Sequence, residues 1–338
     1  MRKRTVFSIA VFTTLFGLLF QYRILSFLRR LDFNVTPFGT KFTLPFTASD
    51  FPVGALPFYY TLDYLNTVWF TTLLGLFIAG GVIVFFRHRL HLLSGGPRWA
   101  QVGAGTLLGL PNLFCSCCAV SVAAGLQRAG AAPGTLLSFF LAAPSLNVVV
   151  ILLAFEMLPL KLAVARLVLG AAAVILPAII LAKQTFTGEA KPIPASPVER
   201  ESAAALLGEW LKQTGLVAKT VFPFLLSGIV IVSIVKTLLP LEAIAIQLSD
   251  GLLSTVGAAA LGTFIMVPTF TEVLWVSEGL KHGLGTGPAV ALLTTLPAVS
   301  FPSLWALGKV TGSYRTAAIL GLIIFLLGAG GGLVFSLF

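Results

Sequence analysis

All three cysteines of the chain fall in one short run, Cys115-Ser116-Cys117-Cys118, which excludes a distributed disulfide framework. Thiolates favour soft, thiophilic species such as Cu(I) or trivalent arsenic and antimony, so the cluster could ligate such a solute. Against that stands the packing alternative, since a free cysteine behaves as a small buried apolar residue where helices approach closely. Cys115 and Cys118 also have the Cys-x-x-Cys spacing of a thiol-disulfide relay, although the matching place in the second half reads Thr269-Phe270-Thr271-Glu272. Structural zinc lacks a fourth ligand, because His88, His91 and His282 fall at polar joints without suitable spacing.

Glu272 is the second candidate. It is the one acid well inside an apolar window, preceded by the run Leu261 to Val267. An ionisable group at membrane depth costs about 2.5–3.5 kcal/mol on insertion scales and is a functional hypothesis by default; Glu272 is accordingly a candidate proton-coupling group. Glu156 and Glu278 lie nearer polar ends, where solvation is expected. Asn147, Ser145, Thr294, Thr295, Ser300 and Ser303 stand beside prolines. Pro144, Pro297 and Pro302 should each free a carbonyl one turn earlier, so these polar groups could ligate a substrate or satisfy the interrupted backbone. Gly105-x-x-x-Gly109 and Gly130-x-x-x-Gly134 allow close helix approach.

The elements that must position these residues are membrane helices. With 338 residues, 57% hydrophobic and 10% charged, and a mean hydropathy of +0.99, the chain has too little charge to coat a soluble globule, which carries about 25%. A soluble enzyme, a disordered scaffold and a disulfide-stapled secreted domain are disfavoured. The net charge of +10 sits mostly between apolar runs, where it sets orientation, and forms no basic stripe interleaved with aromatics that would bind nucleic acid. No Walker A, dinucleotide-binding or hydrolase motif is present.

Charge-free windows occur at 5–22, 64–86, 99–127, 129–155, 167–182, 220–235, 251–271, 282–308 and 316–338. Arg2-Lys3-Arg4 before an apolar run without a small-residue cleavage site predicts a first transmembrane helix with a cytoplasmic N-terminus. Residues 1–62 form that helix and a proline-rich external loop, 63–183 a first repeat, 184–213 a cytoplasmic linker with an interfacial helix over 204–219, and 214–338 a second repeat.

The repeat is legible in matching blocks. Gly125-Leu126-Gln127-Arg128 corresponds to Gly279-Leu280-Lys281-His282, and Ala143-Pro144-Ser145-Leu146-Asn147 to Leu296-Pro297-Ala298-Val299-Ser300. The same register sets Cys117 and Cys118 opposite Thr271 and Glu272. Each half reads as two short apolar pieces around a break, with Pro111 in the first, followed by a full-length span. Pieces shorter than about 20 residues do not span a bilayer, so each pair is read as a broken or re-entrant hairpin. Short interrupted segments at matching positions of two halves point to a transporter's binding site. The fold class is thus an all-α polytopic membrane protein of two inverted repeats with about 7–9 spans, the hairpins meeting tip to tip.

With Leu110-Pro111 through Cys118, Gly125-Leu126, Ala142 to Asn147, Thr271-Glu272-Val273, Gly279-Leu280 and Leu296 to Leu304, the sequence resembles the widespread prokaryotic permease family of YraQ/UPF type, which includes methylarsenite efflux permeases. The resemblance covers roughly 70–330. It implies a multi-pass protein of the prokaryotic cytoplasmic membrane and, for its arsenical branch, export of trivalent organoarsenicals by cysteine ligation. In the family the first motif often reads Cys-Ser-Cys-Gly, where this chain has Cys118 in fourth place, and members outside the arsenical branch share the motif. The expected function is secondary transport of a small thiophilic solute, with Cys115, Ser116, Cys117, Cys118, Asn147, Thr271 and Ser300 as substrate-binding residues. A permease for a sulfur compound or metal ion, or a thiol relay, is the alternative. The partners are a small-molecule or ion substrate and the bilayer, with a homodimer allowed; no enzyme activity, cofactor or resident metal is called for.

Overall fold

The computed structural model describes residues 51–86, 96–184 apart from Leu113, Phe186, 203–238 and 248–337 apart from Thr269, with scattered positions between 11 and 21. Most of the expected first helix over 5–22, most of its loop and most of the 184–203 linker lie outside the described residues.

Among the described residues from Leu56 on, twelve α-helices follow one another in two sets of six. The first set is α1 (Leu56–Gly81), α2 (Arg98–Gly109), α3 (Ser116–Arg128), α4 (Pro133–Ser145), α5 (Val148–Met157) and α6 (Leu160–Leu181). The second is α7 (Ala203–Leu238), α8 (Leu252–Phe264), α9 (Thr271–Lys281), α10 (Thr286–Ala298), α11 (Phe301–Thr311) and α12 (Tyr314–Phe335). Each helix has its counterpart six places on, and the sequence blocks aligned above fall at equivalent joints.

Contacts along the helices fix their directions. Tyr60 of α1 meets Lys236 of α7, while Phe77 and Gly80 further along α1 meet Trp210 and Thr214; these counterparts therefore run antiparallel, and the repeats are inverted. Within each half the first hairpin helix runs parallel to the broken span. Gln101, Gly105 and Gly109 of α2 lie against Gly134, Ser138 and Ala142 of α4, and Thr255 and Gly262 of α8 against Gly287 and Thr295 of α10. Between α3 and α4 the chain turns back over 129–132, closed by Ala131 N–H to the Leu126 carbonyl at 2.9 Å. Hence α3 opposes both α4 and α2. The pair α2–α3 is a re-entrant hairpin, and helices of 12 and 13 residues, about 18–20 Å long, do not cover roughly 30 Å of hydrocarbon.

Among the described residues, six stretches are long and apolar enough to cross a membrane: 56–85, 133–157, 160–181, 204–238, 286–311 and 314–335. Two of these, expected as full-length helices, are broken. Leu146-Asn147 separates α4 from α5, and Val299-Ser300 separates α10 from α11. These broken spans form the centre, 78% and 83% buried, whereas α6, α7 and α12 bury 44% or less and turn residues such as Val168, Ile180, Leu322 and Leu326 outward, as lipid-facing helices do.

Three boundaries differ from expectation. Helix α1 begins at Leu56 rather than 63 because Pro57 occupies its first turn, where proline costs no hydrogen bond. The stretch 204–219, expected as a separate interfacial helix, continues into the span as one 36-residue helix through Pro223, held to α1 by Trp210 Nε1–H donating to the Phe77 carbonyl at 2.8 Å. Pro302 does not interrupt a helix but opens α11.

Candidate functional site

The hairpin breaks and the span breaks converge halfway along the bundle. A water-sized cavity there is lined by Cys115 and Ser116 from the first hairpin, Val267 and Glu272 from the second, and Pro144 and Pro297 from the last turns of α4 and α10. Cys115 is the N-cap of α3 and Ser116 its first residue. Glu272 lies in the first turn of α9, which follows Phe270 in the left-handed conformation at φ 78°. A non-glycine residue at positive φ costs of order 1–3 kcal/mol and is held by its surroundings; the buried Phe270 ring anchors the turn that aims Glu272.

Glu272 is 1% exposed and accepts a hydrogen bond from Arg166 Nη2 at 3.0 Å. Arg166 comes from α6 and is itself 1% exposed as a side chain. Its Nη1 donates to the Leu293 carbonyl at 2.7 Å. That carbonyl is the one released by Pro297, whose ring nitrogen has no hydrogen for the residue four earlier. The expectation that prolines create polar sites within the spans thus has a definite instance. Arg166 and Glu272 are the only charged residues among the buried ones described, and they join α6 of the first repeat to α9 of the second.

Sequence reasoning missed Arg166. The window drawn from 167 began immediately after it, so the charge became the edge of a span. Counted from the helix start at Leu160, Arg166 lies almost two turns inside, a signal as strong as that of Glu272.

The cysteine cluster divides. Cys115 Sγ and Cys118 Sγ are 3.2 Å apart as free thiols, but Cys118 packs toward α1, near Thr71 Oγ1 at 3.6 Å and Thr72 Oγ1 at 3.9 Å. Cys117 lies between Tyr64 Oη and Ser300 Oγ, each 3.9 Å from its sulfur. Neither belongs to the cavity wall. Among the described residues no three His, Cys, Asp or Glu side chains are arranged to hold a metal ion; His282 bonds Glu278 at an exposed helix end, and His88 and His91 lie outside the described residues.

Asn147 and Ser300, equivalent in the repeat, both cap the second half of a broken span. Asn147 Oδ1 accepts from Val149 and Val150 N–H at 3.0 and 3.3 Å, and its Nδ2 donates to the Asn112 carbonyl at 2.7 Å, tying the span break to the first hairpin break beside Pro111. Ser300 forms a capping box with Ser303 and reaches Ser116 Oγ at 3.3 Å. Thr271 opens α9, half-buried, and is absent from the cavity wall.

A family model described as "Predicted permease" matches residues 57–337, both inverted halves with every joint named above. The chain belongs to that family. This permease is also 31% identical over 255 residues to the UPF0718 protein YraQ of Escherichia coli K12, covering 74% of the chain and 72% of the relative. It is 31% identical over 116 residues to the UPF0718 protein MJ0584 of Methanocaldococcus jannaschii, covering 34% and 32%. No solved structure matches it. Membership makes the permease a multi-pass membrane transporter with a small molecule or ion as substrate and the bilayer as its surroundings.

Proposed function

We propose that this permease is a secondary transporter that moves a small thiophilic solute, such as a trivalent organoarsenical, outward through the central cavity. The convergence of Cys115 and Ser116 with Glu272, one group from each inverted hairpin, on a single cavity carries this reading. Cys115 supplies the soft ligand, Ser116 a hydroxyl, and Glu272 the group that couples transport to protons. Cys117, Cys118, Asn147, Thr271 and Ser300 support the joints around it. The end of the bundle that carries Arg98, Arg128, Lys183, Lys212 and Arg315 faces the cytoplasm, against Lys161, Lys236 and Lys281 at the other end, following the positive-inside rule. The N-terminus is cytoplasmic, and the membrane is the prokaryotic cytoplasmic membrane. Transport of methylarsenite into inverted vesicles tests the reading: Cys115→Ser should abolish it and Cys118→Ser should weaken it less. Undiminished transport by Cys115→Ser would remove the thiol from the mechanism.

One observation favours a second reading, a membrane thiol relay: Cys115 and Cys118 place their sulfurs 3.2 Å apart at the start of a helix, where thiolates are stabilised. Trapping of free thiols across a range of redox buffers should reveal a disulfide if the relay operates; free thiols at every poise exclude it.

A further inference from the structure

Glu272 forms part of the cavity wall and Arg166 stands directly behind it. We infer, on the basis of the transporter reading above, that the site also takes a small monoanion with a soft atom, held by Arg166 when Glu272 takes up a proton. Charge balance at the buried pair sets the sign of the solute. A guanidinium is never deprotonated in a protein, and a buried charge persists only with a partner. As the protein stands, Glu272 is that partner. When Glu272 is neutralised, one positive charge is left at the cavity and requires one negative charge from the solute.

Arg166 has the donors for this exchange. Besides Nη1 and Nη2, its buried Nε–H has no hydrogen-bond partner. The helix ends at the cavity, those of α3 and α9 at their N-termini and those of α4 and α10 at their C-termini, largely offset one another's dipoles, so formal charge decides. Cys115 on the opposite wall selects a soft atom within the anion. A solute larger than water requires the hairpin tips to part, and the bond across the repeats from Arg166 to Glu272 is what protonation releases.

Among the described residues no other charge competes with Glu272 there. Of the elements packed against α9, helix α10 carries no titratable side chain, and α5 carries only Glu156, exposed. Helix α6 adds Lys161, also exposed, to Arg166. The facing hairpin break contributes Cys115, and α9 itself carries Glu278 and Lys281, paired in water. A proton and a monoanion therefore bind together, the loaded and empty forms carry equal charge, and outward movement of the pair is driven by the solute's own gradient.

Calorimetric titration of the full-length protein with thioacetate, acetate and methylarsenite, across about two pH units around neutrality, tests this. Thioacetate affinity should rise about tenfold per unit of falling pH, the linkage of one proton, and exceed that of acetate. Glu272→Gln should bind thioacetate with no pH dependence, and Arg166→Gln should lose the anion by more than about tenfold, the order expected of a lost charged partner. The Arg166→Gln/Glu272→Gln double variant, which buries no charge, serves if either single variant fails to fold; it should bind methylarsenite but no thioacetate. A pH-independent thioacetate affinity in the parent, equal affinities for acetate and thioacetate, or thioacetate binding retained by the double variant overturns the inference. Methylarsenite binding without anion binding overturns it while leaving the transporter reading intact, whereas binding of neither overturns both.

Discussion

The buried pair of Arg166 and Glu272 is where a single side chain has the largest leverage on the molecule. Two charges withdrawn from water lose several kcal/mol of hydration each, and their attraction offsets this only while both are present. Removing one partner should therefore cost about 3–5 kcal/mol, and removing both much less. Glu272→Gln should be the more damaging single change, because Glu272 left alone can take up a proton whereas Arg166 cannot lose one. Chemical unfolding in detergent of the two single variants and the double checks this through their non-additivity; losses that simply add would mean that the two groups do not depend on each other. Each is an ionisable residue set inside an apolar stretch and stands out in the sequence by itself. What makes them a site is that two helices about a hundred residues apart bring them within 3.0 Å, a fact of tertiary packing that no local pattern carries.

At the scale of the element, small residues set how closely each hairpin helix lies on its broken span. A Cβ at Gly105 would overlap the Thr135 carbonyl and Ser138 Oγ, and one at Gly262 would overlap Thr295. Gly105→Ala and Gly262→Ala should each destabilise by about 1–3 kcal/mol through overpacking, whereas Gly103→Ala, which meets nothing within 4 Å, should be neutral or gain up to about 1 kcal/mol of helix propensity. Thermal unfolding of the three variants side by side tests the contrast. Asn147→Ala should cost about 2–4 kcal/mol, a lost cap plus the buried Asn112 carbonyl left unsatisfied, and Asn147→Ser about half of that, since it keeps the cap alone; equal losses in the two variants would show that the tie to Asn112 contributes nothing. Much of this layer was legible beforehand. Pro111, Pro144 and Pro297 stand within a few residues of the joints, and Gly105, Gly109 and Gly134 lie at close contacts, because both act through backbone geometry that sequence states directly, whereas Gly130 falls in a turn and meets nothing within 4 Å. The full break of the two central spans was not legible, since the caps at Asn147 and Ser300 are tied to the first hairpin break by long-range bonds to the Asn112 carbonyl and Ser116 Oγ. Likewise the joining of 204–219 to its span depends on packing against α1 rather than on the charges that made it look interfacial.

For the whole molecule, inversion is the property from which the rest follows. Three crossings per half, α1, α4–α5 and α6, then α7, α10–α11 and α12, carry the second repeat through the membrane in the opposite sense. The turns at 129–132 and 312–313 must then share a face, and those at 157–160 and 281–285 must share the other. Because Cys115, Cys117 and Cys118 are buried, single cysteines at Gly130 and Ser313, or at Pro159 and His282, can be labelled in their presence with a membrane-impermeant reagent. With the basic end in the cytoplasm, Pro159→Cys and His282→Cys should react in intact cells, and Gly130→Cys and Ser313→Cys only after the membrane is opened. Reaction of the two sets in the reverse order would keep the inverted fold but turn the direction of transport around. Reaction of Gly130→Cys and Ser313→Cys from opposite faces would mean that a hairpin crosses completely, making the crossings per half even and the repeats parallel, which the antiparallel contact of α1 with α7 does not permit.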